Sequence, residues 1–136
     1  MTLDDLTARL RGGVPLAQLL QIEAIALDPL TIRMPAAALA LRPGGTTSGP
    51  AMMALADVAM WAALLIANEG QDLSRTTQLA IQFLRAAAPG PVIAEPRILK
   101  PGRTLIYGEV WIRGEGDDRP AAHVTTQWAV TPLPTR

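Results

Sequence analysis

Between Pro50 and Ala67 the chain reads PAMMALADVAMWAALLIA, and its one charged side chain is Asp57. A segment that is apolar on every side has to be buried on every side. A bilayer is one way to bury it, but the run is at the short end of what crosses, and Asp57 would lie near the midplane. Polar sequence on both flanks and strand-like sequence after it favour a helix enclosed by a soluble protein. Asp57 then becomes the residue to explain, because an ionised carboxylate removed from water is costly unless it is paired or hydrogen-bonded.

The surroundings of this run define its ends. Ser48 or Gly49 can serve as N-cap, and Pro50 suits the first helical position, where its missing N–H costs nothing. Gly70 is the expected stop, so a central helix is expected over residues 50–69. Before it, LDDLTARLR (residues 3–11) reads as a short helix with Thr2 as N-cap and Gly12-Gly13 as its end. VPLAQLLQI follows as a second helical turn, completing a lead-in over 1–21. IEAIALDP and LTIRMPA read as two strands around an Asp-Pro turn.

After the helix, residues 75–131 read as four strands. TTQLAIQFLRAA alternates, with Leu79, Ile81 and Phe83 on one side and Gln78, Ala80 and Gln82 on the other. Pro96 marks an edge position or a bulge. RTLIYGEVWIRG and PAAHVTTQWAV are rich in β-branched and aromatic residues, with EGDDR as a turn between them. The 136 residues therefore form one α+β domain, a long helix wrapped by a largely antiparallel sheet and preceded by a short helix. A single sheet covers one side of such a helix. The other side calls for a partner chain, most simply a two-fold dimer.

Composition removes whole classes of function. Lys plus Arg equals Asp plus Glu, 12 each, so no basic balance points to nucleic acid. There is no cysteine, which excludes disulfides, thiol nucleophiles and cysteine-based zinc sites. The lone histidine, His123, argues against a His-cluster metal site or a Ser-His-Asp triad, and no metal site is expected. MTLDDLTARLRGG has two acids and no apolar core, unlike a secretory signal, so a cytoplasmic location is expected.

RPGGTTSGPAMMALADVAMWAAL, TTQLAIQFLRAA, KPGRTLIYGEVWI and AAHVTTQWAV, taken together, resemble the hotdog-fold acyl-CoA thioesterases of the phenylacetate-degradation (PaaI-type) group. The resemblance runs from Val14 to Val130. It implies a hotdog fold, dimers that join two sheets into one and active sites at the dimer interface, with dimers of dimers as a further option. It also implies an activity, hydrolysis of an acyl-CoA to free acid and CoA, with no cofactor beyond the CoA of the substrate.

Residue by residue, Leu55-Ala56-Asp57 matches the family's acid motif, making Asp57 the general base or nucleophile. Burial disfavours the charged form of a carboxylate and suits it to proton transfer. The Gly49 N–H matches the group that polarises the thioester oxygen, a role that a free amide at a helix start can fill. Ser48 stands where the family often has His, Arg42 where it often has Asn, and Pro50 where it has a second Gly. Thr76 and Thr77 align with a hydroxyl position that touches substrate or water. Arg85, Lys100 and Arg103 match basic residues near the coenzyme A phosphates. Met53 and Trp61, with Met52 and Met60, are core or acyl-pocket lining. His123 is expected to be structural, with nothing placing an acid beside it, and Asp117-Asp118 a solvated turn. Two other readings on the same fold are a non-catalytic acyl-CoA-binding protein and a hydratase; the latter normally uses an Asp/His pair.

Overall fold

A computed structural model describes residues 1–36 and 40–131. Three helices, α1 (Leu3–Gly13), α2 (Pro15–Leu19) and α3 (Gly49–Ala67), accompany six strands. These are β1 (Glu23–Leu27), β2 (Leu30–Met34), β3 (Ser74–Phe83), β4 (Val92–Lys100), β5 (Leu105–Gly114) and β6 (Pro120–Val130). The strands form one antiparallel sheet in the order β1-β2-β4-β5-β6-β3. The sheet curves around α3, which is the hotdog arrangement.

The end signals work largely as local chemistry dictates. Thr2 and Asp5 form a reciprocal capping box, the Asp5 N–H donating to Thr2 Oγ1 at 3.0 Å and the Thr2 N–H to Asp5 Oδ2 at 3.1 Å. The Ser48 hydroxyl accepts the Ala51 N–H at 3.3 Å and caps α3. Glu69, at φ +55°, takes the left-handed position after the C-cap Asn68, and the expected stop, Gly70, follows at φ +87° with its N–H on the Leu65 carbonyl. The expected stop at Gly12-Gly13 is displaced, because α1 runs through both glycines. The reason is packing: a Cβ at Gly13 would collide with the ring of Trp61.

α3 is long and apolar enough to cross a membrane, but it is the core of the fold. Leu55, Ala56, Ala59, Met60, Ala62 and Leu65 are fully buried. Gly108 on β5 lets the helix approach closely, since a Cβ there would strike the Met60 sulfur. The chain itself supplies part of the cover expected from a partner. Leu6 and Leu10 of α1, Ala17 of α2 and Leu20 just after it are buried in the same core, and both helices pack against α3. Besides Ile66 and Ala67 at its C-terminal end, α3 leaves open a stripe on its N-terminal half, through Pro50, Met53, Ala54 and Asp57.

The two edges of the sheet differ. β1 is short, carries a bulge between Ala24 and Ala26, and is shielded by α1, whose Thr7 hydroxyl accepts the Ala24 N–H at 3.0 Å. β3 is 10 residues long and pairs only with β6. From Thr76 to Leu84 it has no charged side chain, and Phe83 and Leu84 are exposed. Such an edge is a template for another strand.

Candidate active site

Asp57 projects from the open stripe of α3, half-buried, beside the start of β3. There the Thr76 hydroxyl donates to Asp57 Oδ1 at 2.7 Å. A bulge aims that hydroxyl. Thr76 is paired with Trp128 and Leu79 with Thr126, so β3 carries one extra residue between them. Thr77 falls in the irregular stretch, and its hydroxyl donates to the Gln127 carbonyl at 3.1 Å instead.

A pocket of about 300 Å³ opens over Asp57, walled by Val14, Trp61, Thr76, Arg75 and Trp128, with Asp72 at its rim. Asp72 Oδ1 accepts from both Trp61 Nε1 at 3.2 Å and Arg75 Nη1 at 3.0 Å. That fixes the Trp61 ring as one wall. Asp57 therefore has one hydroxyl donor and an open face, the arrangement of a carboxylate free to act on a molecule in the pocket.

A second pocket, of about 410 Å³, lies at the N-terminus of α3 between Arg42, Thr46, Thr47, Gly49, Met52, Phe83 and Arg85. In the first turn Ser48 takes the Ala51 N–H on its hydroxyl and the Met52 N–H on its carbonyl, and Pro50 has no N–H. The Gly49 N–H is left, with no partner in the helix. Phe83, at the far end of β3, packs over it: a Cβ at Gly49 would lie 3.2 Å from Phe83 Cζ. The helix dipole and two guanidinium groups make this end electropositive.

The two pockets are distinct. Asp57 follows Gly49 by eight positions on one helix, a rise of about 12 Å.

A family model described as the thioesterase superfamily matches residues 44–121, more than half of the chain. The chain belongs to the thioesterase superfamily. It is similar to a candidate thioesterase from Silicibacter sp. TM1040, with 36% identity, 97% of this chain and 93% of that one covered, and a TM-score of 0.85. It is also similar to a variant of thioesterase PA1618 from Pseudomonas aeruginosa, with 26% identity, coverage of 98% and 96%, and a TM-score of 0.84. BH2602 from Bacillus halodurans, solved with CoA, shares the fold at 21% identity and a TM-score of 0.73, with 93% and 89% covered. Among curated proteins none matches.

Within this superfamily member, the expected site residues separate into three groups. Asp57, Thr76 and Trp61 meet in one pocket, and Arg42, Gly49 and Arg85 meet in the other. Ser48 caps α3 with its side chain, Thr77 bonds the β6 backbone, and Met53 is exposed one turn before Asp57. Lys100, at the end of β4, and Arg103, in the following loop, are exposed and line neither pocket. Among the described residues no group of three His, Asp or Glu side chains is placed to hold a metal.

One expectation is corrected. An acid does stand beside His123: Glu109 Oε1 lies 2.8 Å from His123 Nε2, and Trp111 stacks on the imidazole with centroids 4.1 Å apart. The pair sits on the outer face of the sheet, where residues alternate with Val110, Ile112 and Val124 facing α3. Arg97 adds a 4.0 Å contact to Glu109. Thr76, Trp128 and Phe83 complete what the two pockets present; of these the sequence pattern marked only Thr76. Two surface carboxylates titrate below their ordinary range. Asp5 is held below the ordinary range by the Thr2 backbone and hydroxyl, and Asp117 by the Arg119 N–H and guanidinium.

Proposed function

We propose that the protein hydrolyses a small or medium acyl-CoA, in the manner of the PaaI-type group, at a site composed by two copies of the chain. The observation that carries this reading is the Asp57 carboxylate, open to a pocket and oriented by Thr76, on the central helix of a thioesterase-superfamily fold. Asp57 takes a proton from water as the oxygen attacks the thioester carbon. The carbonyl electrons move onto oxygen, then return as the C–S bond breaks, and the proton passes to the CoA sulfur. The second route for the same carboxylate is direct attack, giving a mixed anhydride that water then opens.

The developing oxyanion needs a donor within about 3 Å, and the Gly49 N–H is that donor. Within one chain it lies about 12 Å along the helix from Asp57, too far to serve the same carbonyl. The uncharged edge of β3 supports a solution. Thr76 touches Asp57 near one end of β3, and Phe83 covers Gly49 at the other. Antiparallel pairing of β3 with its copy, centred between Leu79 and Ala80, sets Thr76 opposite Phe83 of the partner subunit. Each Asp57 then faces a partner's Gly49, and Arg42 and Arg85 beside that glycine receive the CoA phosphates. The reading includes a dimer, open to further pairing, and a cytoplasmic location.

The test is release of free thiol from a panel of short, medium and aromatic acyl-CoAs, with the Asp57→Asn variant in parallel. Turnover by the wild-type protein and its loss in the variant are expected. Acyl-CoA binding without any turnover would instead make the chain a binding protein.

A further inference from the structure

Among the described residues, two side-chain hydrogen bonds tie α3 to the segment that enters β3. One is the Thr76 hydroxyl on Asp57 Oδ1, at 2.7 Å. The other lies one turn further along the helix, where Trp61 Nε1 donates to Asp72 Oδ1 at 3.2 Å. Asp72 stands between the two elements, four positions before Thr76. The same Asp72 oxygen accepts Arg75 Nη1 at 3.0 Å, and that nitrogen also reaches the Ser74 carbonyl at 2.8 Å. Residues 72–75 are thereby cross-linked into one unit that leads directly into Thr76.

The helix end of this link is fixed by packing. Trp61 is buried, and its ring lies against Gly13 of α1, where a Cβ would collide with it. Thr76 has no comparable hold on α3 from its own strand. The ladder of β3 rests on β6 alone and is interrupted just after Thr76, so it sets β3 against β6 and not against the helix.

We infer that Asp72 is a positioning residue: anchored on Trp61, it sets the start of β3 against α3 so that the Thr76 hydroxyl meets the Asp57 carboxylate. The inference rests on the hydrolytic reading of that carboxylate. An exposed ion pair such as Asp72–Arg75 counts for little by itself. Here the indole bond carries the link to the helix, and the guanidinium carries it into the strand. Removing the Asp72 carboxylate therefore acts on Asp57 by way of Thr76.

Thiol release from an acyl-CoA that the wild-type protein hydrolyses gives the first readout. Asp72→Ala should lower kcat about fivefold and leave KM within about twofold. Asp72→Asn keeps an oxygen for both donors and should recover most of that loss. The decisive comparison uses the Thr76→Val background, where no hydroxyl is left to aim. There Asp72→Ala should lower kcat no further, whereas a role in folding alone would lower it in both backgrounds. Thermal melts check that each variant is folded. Equal losses in the two backgrounds, or no loss in the first, overturn the assignment.

A second measurement reads the same claim without turnover. In 15N spectra of the wild-type protein, the Thr76 amide peak should move with pH through its side-chain bond to Asp57, a movement absent from Asp57→Asn. Asp72→Ala should weaken that movement and Asp72→Asn should retain it. Undiminished movement in Asp72→Ala, or none in the wild type, contradicts the proposal even if the protein proves to be a thioesterase. Absence of all hydrolysis, with the Thr76 response lost in Asp72→Ala, would overturn the enzyme reading and leave Asp72 as the residue that positions Thr76.

Discussion

The pocket at Asp57 and the pocket at Gly49 lie on one helix and have opposite chemistry. The first offers a carboxylate, a hydroxyl and two indoles. The second offers a backbone N–H without a partner in the helix and two guanidinium groups. Thioester hydrolysis requires both sets at one carbon, a base for water and a donor for the oxyanion. On the composite-site proposal, their separation along α3 means that the unit of function exceeds the unit of folding. The same proposal accounts for a β3 that is long, exposed and without charge from Thr76 onward while β1 at the opposite edge is short, bulged and covered.

Changes that break this complementarity should be the most damaging. Asp57→Asn is expected to lower kcat by at least about a hundredfold with little change in the melting curve, measured by thiol release. Ala80→Lys puts a charge at the centre of the β3 edge. Sedimentation should show the smaller species, and kcat/KM should drop about as far as in Asp57→Asn, because each half-site loses its complement. Arg42→Ala or Arg85→Ala touches only the electropositive pocket, so KM for acyl-CoA should rise about tenfold with kcat nearly kept. Thr76→Val removes the hydroxyl donor to Asp57, and kcat should fall about tenfold while KM stays. At the small end, His123→Gln on the outer face should leave kcat/KM within about twofold of wild type; a larger loss would move the chemistry out of the two pockets.

Much of the fold was legible because its signals are local. The apolar run with Ser48 and Pro50 at its start defines α3, alternation defines β3, and β-branched and aromatic residues define β5 and β6. Asp57 stood out for the same reason, as one acid in an apolar helix. What escaped depends on register, which sequence alone leaves open. His123 and Glu109 lie 14 positions apart and meet only because Trp111 pairs with His123 across β5 and β6. The Thr77 bulge, which decides that Thr76 and not its neighbour reaches Asp57, leaves no mark in an alternating pattern. Gly13 looked like a helix stop, yet its lack of a side chain serves the Trp61 ring.

Mixing two dead variants tests the composite site most directly. Gly49→Pro removes the proposed oxyanion donor; Ser48 already has the extended ψ of 155° that a following proline requires, the Phe83 ring must shift by a few tenths of an ångström, and a thermal melt checks that the variant folds. In a dimer of Gly49→Pro with Asp57→Asn, a shared site concentrates both defects in one half and leaves the other intact. Random mixing makes half the dimers mixed, each with one working site of two, so co-expression should restore about a quarter of wild-type activity. If each chain instead housed its own complete site, every site would carry a defect, and the mixture would stay as inactive as either variant alone.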